Sequence, residues 1–269
     1  MAIKAVLLVC VCATSSAFAE PTPDAPVATT RVRATVELGV ATTFIARGVP
    51  QFANKNDFAT QNAALIRVDD VGPGAVTIGV FHQAALNNPE RTTMIGGISP
   101  QFDPIVSYGF PLGPVQASVG YFLHYWPAWS AEQHRDGMHE LQLTAAMDGL
   151  PVRPAIEVDL EFVRLHGFYA NASVSKSWTT STSRGEITIT PSVVVGVHRY
   201  TKPFQGNFDL PLALREVTGG VGVTWKFGPP FYASLRASYS YTGIKNWWMD
   251  DGIAGRSTPQ VALALGVAN

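Results

Sequence analysis

From Val32 onward the chain repeats one texture about twelve times. A run of roughly 10–15 residues alternates apolar with polar or small side chains, and a cluster of turn-forming residues then breaks it. The runs fall near 35–47, 58–69, 74–84, 100–110, 113–126, 137–148, 152–164, 167–179, 186–200, 211–227, 229–242 and 258–269. A period of two sends successive side chains to opposite faces of a strand. The length of these runs is the strongest constraint on the fold. Strands in soluble proteins usually have about 5–6 residues, whereas a strand that crosses a bilayer needs about 9–11. Residues 115–129, VQASVGYFLHYWPAW, pose the resulting choice. Val115, Ala117, Val119, Tyr121, Leu123 and Tyr125 form one face, while Gln116, Ser118, Gly120 and His124 lie on the other. A soluble sandwich would turn the first face inward; a membrane barrel would turn it out to lipid.

The connections have two alternating lengths. Asp70-Val71-Gly72-Pro73, Phe110-Pro111-Leu112-Gly113, Asp148-Gly149-Leu150-Pro151 and Phe227-Gly228-Pro229 are tight turns, and Thr180 to Gly185 is slightly longer. Between them fall polar stretches at 48–57, 87–98, 127–136, 201–210 and 243–257. Short turns at one end, long loops at the other and an even strand count are the plan of an outer-membrane barrel. One connection departs from it: His166-Gly167 is tight where a long loop is due. With the strands oriented this way, the aromatic residues of one phase sort to both strand ends. Phe44, Phe58, Phe102, Tyr121, Tyr125, Phe162, Phe168, Tyr239 and Tyr241 mark the loop end, and Tyr108, Phe110, Trp178, Trp225, Phe227 and Phe231 the turn end. Aliphatic residues such as Val36, Leu38, Val106, Val119, Val221 and Leu235 lie between. Two aromatic belts around an aliphatic band are what two membrane interfaces select, and a sandwich core has no reason to produce them. Asn62 falls in this lipid phase. Arg199, Arg215 and Lys176 do so near strand ends, where long side chains can snorkel. A one-residue bulge would flip such positions.

Residues 1–19 have the form of a secretory signal peptide: Lys4, an apolar stretch from Ala5 to Ala13, and Ala17-Phe18-Ala19 before a cleavage point at Ala19/Glu20. Both cysteines, Cys10 and Cys12, lie inside it, so the exported chain is expected to carry no disulfide or thiolate chemistry. Residues 20–33 read as a Pro-rich leader and 34–269 as a single all-β, antiparallel transmembrane barrel. Charged residues make up 14% of the chain, against about 25% in typical globular domains. Loss of Lys4 leaves the acids slightly ahead of the bases. This balance argues against nucleic-acid binding. No apolar run reaches the length of a membrane-spanning helix, so any entry into the bilayer is by strands.

Phe44-Ile45-Ala46-Arg47-Gly48-Val49-Pro50-Gln51 resembles the end of the first strand in the TorF-type porin family of Gram-negative outer membranes, where an aromatic residue is followed by Arg-Gly and shortly by Gln. A looser similarity runs through Gln61, Gly79 to Gln83, Phe102 to Phe110 and Val115 to Pro127, over about the first two-thirds of the chain. Thr43 and Phe44 stand where the family often has Asp-Tyr. Asn269 stands where many such barrels place an aromatic residue read by the assembly machinery. The resemblance implies a passive pore of the cell outer membrane. Its partners would be outer-membrane lipid and lipopolysaccharide, the assembly machinery and small hydrophilic solutes, with no cofactor and no catalytic residue.

The opposite strand phase supplies the candidate pore-lining residues Glu37, Arg67, Asp103, His124, Glu140, Glu157, Asp159, Glu161, Glu216, Lys226 and Arg236, with Arg47 where the first strand meets its loop. Acids outnumber bases, which favours a weak preference for cations because fixed charge tunes pore selectivity. Ser118, Gly120, Thr188, Ser192, Gly196, Gly220, Gly222, Ser234 and Ser238 leave room for water and favour a narrow open channel over a plugged one. Glu157, Asp159 and Glu161 place three carboxylates on one face of one strand, which calls for counter-charge or a bound cation. The six histidines His82, His124, His134, His139, His166 and His198 show no zinc-ligand spacing. Two other function classes stay open: a non-conducting barrel whose loops, including Trp247-Trp248, engage a partner, and an outer-membrane lipid-modifying enzyme.

Overall fold

The computed structural model describes residues 31–42, 45–46, 49–50, 58–86, 100–125, 137–163, 166–201, 210–242 and 257–269. Phe44, Arg47, His134, Trp247-Trp248, residues 1–19 and the Pro-rich leader up to residue 30 lie outside the described residues.

The alternating runs become twelve antiparallel strands. They are β1 (Val32–Ala41), β2 (Ala59–Val71), β3 (Gly74–Ala85), β4 (Gln101–Leu112), β5 (Val115–His124) and β6 (Met138–Met147). There follow β7 (Arg153–Glu161), β8 (Gly167–Ser175, resumed as Trp178–Thr182), β9 (Gly185–Tyr200), β10 (Leu210–Gly228), β11 (Phe231–Thr242) and β12 (Ser257–Ala268). Each pairs with the next, and β1 pairs with both β2 and β12, so the sheet closes on itself. Closure pairs every strand of the wall on both sides, the condition for strands to survive in hydrocarbon, and only the extension Trp178–Thr182 among the described strands of the sheet pairs on one side alone, with β9. Asn269 extends the closing ladder: its Oδ1 accepts from Ala34 N at 2.7 Å, and its own N donates to Ala34 O at 3.2 Å. The first strand begins at Val32, inside the stretch that the sequence assigns to the leader. It ends at Ala41 rather than near residue 47, because its register with β2 runs from Val32↔Val68 to Ala41↔Ala59. A two-residue ladder, Ile45–Ala46 with Val49–Pro50, follows.

The tight turns have a local cause. Gly72 and Gly113 both sit at φ 61°, a left-handed conformation that a side chain disfavours. Each is followed by a proline, which fixes the second turn angle. The two Gly-Pro pairs thus reverse the chain between Val71↔Gly74 and between Leu112↔Val115.

Sorting of side chains is inverted relative to a soluble protein. Large apolar residues point outward and are exposed, among them Leu38, Ile66, Ile78, Ile156, Leu235, Leu263 and Leu265. The buried set is rich in acids, amides and histidines. A contiguous apolar surface of this extent is untenable in water, where patches rarely exceed a few hundred Å². Aromatic belts bound it. At the turn end, Trp225 packs on Phe227 and Phe227 on Phe231, with ring centroids 5.0 and 6.4 Å apart, while Tyr108 stacks on Phe110. Phe58, Phe102, Tyr125, Phe162, Tyr239 and Tyr241 are exposed at the loop end.

Arg215 corrects the sequence reading. It was expected on the lipid face, yet it points inward and is buried. Val197 pairs with Leu214 while Gly196 pairs with Glu216, so Arg215 is an extra residue on β10. This bulge turns Arg215 and Glu216 to the same side. Arg199 remains outside, exposed, as expected.

Candidate functional site: the barrel interior

Following the hydrogen-bonded register around the inner wall shows which side chains stand next to one another. One row runs Leu65, Gly79, Ile105, Phe122, Glu140, Glu161. Another runs Gln142, Asp159, Tyr169, His198, and a third Thr144, Glu157, Asn171, Gly196, Glu216. The interior therefore has an apolar arc, in which Leu65, Phe81, Ile105 and Phe122 form one buried cluster, running straight into an acidic one. Those four apolar residues were absent from the sequence-derived lining. The signal was present in strand phase: Phe122 lies two residues before His124, and Phe81 two before Gln83.

The polar groups bond chiefly to one another. His124 places Nδ1 2.9 Å from Asp103 Oδ1 and Nε2 3.0 Å from Glu140 Oε2, tying β4, β5 and β6 together. Gln83 and Gln101 each donate to Asp103, at 3.0 and 2.8 Å, and Gln142 donates to Asp159 at 2.9 Å. Glu161 accepts from the backbone N–H groups of Val163 and His166, at 3.1 and 2.9 Å. That clamp explains the one tight connection at the loop end: the carboxylate satisfies amides that a longer loop would leave to water. Glu140, Glu157, Asp159, Glu161 and Glu216 are each at most 3% exposed, so they do not line open water, as the small inward residues had suggested.

Two tyrosines reach across an intervening strand where it carries glycine. Tyr169 on β8 crosses Gly196 and donates to Glu216 Oε1 on β10. Tyr232 on β11 crosses Gly266 and donates to Glu37 Oε2 on β1 at 2.9 Å. A Cβ at position 196 would sit 2.7 Å from the Tyr169 oxygen. Gly196→Val is therefore expected to break the Tyr169–Glu216 bond and cost about 1.5–3 kcal/mol, the worth of a hydrogen bond to a charged group. Equilibrium urea unfolding in lipid vesicles would measure it; an unchanged midpoint would refute the crossing.

The remaining candidates spread by height. Toward the turn end, Arg67 bonds Asp69 at 2.8 Å, Arg33 also pairs with Asp69, Arg153 bonds Asp148 at 2.5 Å, and Lys226 bonds Glu186 at 3.0 Å. Bases there are thus each paired with an acid, two of them sharing Asp69, whereas from mid-strand to the loop end the interior carries Glu37, Asp103, Glu140, Glu157, Asp159, Glu161 and Glu216 against Arg215 and Arg236. Arg215 Nη1 lies 3.3 Å from His198 Nδ1. Filling is uneven around the wall. On one side the buried side chains of Phe122, Glu140, Tyr169, His198 and Glu216 crowd the interior. On β1, β2, β11 and β12 the inward residues include Gly39, Ala63, Ser234, Ala262 and Ala264, and a cavity remains there, bordered by Glu37, Gln61, Arg236 and Phe81. Among the described residues, no cluster of three or more His, Cys, Asp or Glu could hold a metal ion.

A closed cylinder with a hydrocarbon-facing exterior and a polar interior defines a transmembrane β-barrel. No family profile and no curated protein matches the chain in sequence. Its fold is similar to that of several solved outer-membrane proteins. They include the KdgM porin (TM-score 0.47, 8% identity, 87% of this chain and 97% of that one covered) and the COG4313 outer membrane channel from Pseudomonas putida F1 (0.48, 10%, 94% and 100%). LpxR from Salmonella typhimurium is similar to the same degree (0.49, 9%, 87% and 99%). Likeness at this level concerns the barrel alone.

Proposed function

We propose that the chain is a porin of the TorF type in the cell outer membrane, through which small hydrophilic solutes diffuse passively with a weak preference for cations. The observation that carries this reading is the interior itself: a polar-walled cylinder, incompletely filled, whose turn-end bases are each paired with an acid while from mid-strand to the loop end it holds an excess of carboxylates. Such a field raises the local concentration of cations. Purified protein in planar bilayers is expected to give discrete conductance steps with slight cation selectivity. Glu157→Gln, Asp159→Asn and Glu161→Gln combined are expected to move the reversal potential toward zero in a salt gradient. Electrically silent bilayers from folded protein would instead favour a non-conducting barrel, and an unmoved potential would remove these acids from the selectivity field.

A second reading, a lipid-modifying enzyme, draws on a polar pair standing on the lipid face: Asn62 Nδ2 and His82 Nδ1 are 3.1 Å apart, with His82 tilted on Phe102, and Tyr121 hydrogen-bonded to His139 forms another on the same face. His82 hydrogen-bonds to no hydroxyl among the described residues, so the pair lacks an evident nucleophile. Release of fatty acid from phospholipid in detergent micelles, abolished by His82→Ala, would establish this alternative.

A further inference from the structure

We infer that the cavity against β1, β2, β11 and β12 binds small zwitterions that carry an apolar side group, molecules of the α-amino-acid type. The inference rests on the porin reading and names the class of solute that its passage would favour.

The register lays out the cavity floor. Ser234, Ala264, Gly39 and Gln61 stand side by side, as do Tyr232, Gly266, Glu37, Ala63 and Phe81. Small residues thus open a shelf, and three polar groups border it. Glu37 is held in place by its bond from Tyr232 at 2.9 Å. Arg236 on β11 lines the same cavity as Glu37. Gln61 Nε2 is enclosed and has no hydrogen-bond partner, an arrangement that native interiors avoid unless something else completes it.

The three groups select by sign. Arg236 and Gln61 offer N–H donors suited to a carboxylate, and a guanidinium binds that group well. Glu37 offers an acceptor to an ammonium group. A simple cation gains Glu37 but meets Arg236, and a simple anion gains Arg236 but meets Glu37. A neutral sugar finds mostly Ala, Gly and Phe for its many hydroxyls, which would be left unmet. A molecule with both charges on adjacent atoms satisfies all three groups, and its side chain rests on Phe81 and the alanines. A mainly apolar cavity with a few convergent polar groups is the usual form of a small-molecule site.

The test uses three probes that share one hydrocarbon: leucine, isopentylamine and 4-methylpentanoate. Binding to the folded barrel in detergent would be measured by saturation-transfer NMR and calorimetry, so the result does not depend on conduction. Leucine is expected to bind about tenfold more tightly than either singly charged probe. Glu37→Gln should abolish its advantage over the acid, and Arg236→Gln its advantage over the amine. Heat-modifiable gel mobility reports folding of each variant. Should either fail to fold, Gln61→Glu is expected to lose leucine and gain the amine by placing a negative charge where the carboxylate sits. Equal affinity for the three probes in the unmodified protein, or leucine preference surviving the charge variants, would overturn the inference. Leucine binding in a protein silent in bilayers would sink the porin reading while leaving the site; conduction without leucine preference would do the reverse.

Discussion

His124→Leu is expected to cost the barrel about 3 kcal/mol, the loss typical of taking a hydrogen-bonding partner from a buried charged group. His124 touches Asp103 with one ring nitrogen and Glu140 with the other, and all three are buried. Leucine fills the volume without a donor, so the carboxylates on the two strands that flank β5 lose their shared hydrogen-bonding group in a low-dielectric interior. The attribution has an internal check. Adding Asp103→Asn and Glu140→Gln to His124→Leu removes both charges, so most of the loss should return. Urea unfolding in vesicles, followed by tryptophan fluorescence, gives both numbers. If the triple variant is no more stable than the single one, the cost lies in shape and not in charge.

Arg215→Leu and Arg199→Leu form the second expected contrast. The first should destabilise by about 3 kcal/mol, since Arg215 is a buried cation beside His198 and next to Glu216 on β10. The second should stay within about 1 kcal/mol, because a basic residue near the membrane interface costs little. Near-equal effects would mean that the bulge does not deliver Arg215 to the interior. Both arginines look the same in the sequence, each falling in the lipid phase near a strand end.

That contrast shows where the sequence stops being legible. Strand number, strand limits and the two aromatic belts follow from alternation and turn chemistry, which are local properties, and the structure reproduces them within a few residues except at the end of β1. A bulge changes phase by a single residue and leaves no compositional trace. Its one visible hint is Arg215-Glu216, two consecutive charges inside the longest strand. The apolar arc escaped notice for a different reason. Around Tyr121-Phe122-Leu123 both faces of β5 are apolar, so only the phase of His124, two residues on, marks Phe122 as the inward one. The pairing partners of the acids were also out of reach, because Gln142, His124 and the amides of the 162–166 connection meet them only once register is known. Glu157, Asp159 and Glu161 read as a face calling for counter-charge or a bound cation. In the structure, Asp159 holds Gln142 and Glu161 holds a turn.

The chamber bordered by Glu37 and Arg236 straddles the join between β1 and β12, where Glu37 faces Gly266 and Gly39 faces Ala264. Half of its wall is therefore missing until the two ends of the sheet meet, and no partly rolled intermediate possesses it. Docking one residue out of step would swing Glu37 into hydrocarbon and break its bond from Tyr232. Correct register at the β1–β12 join is thus a condition for the chamber to exist.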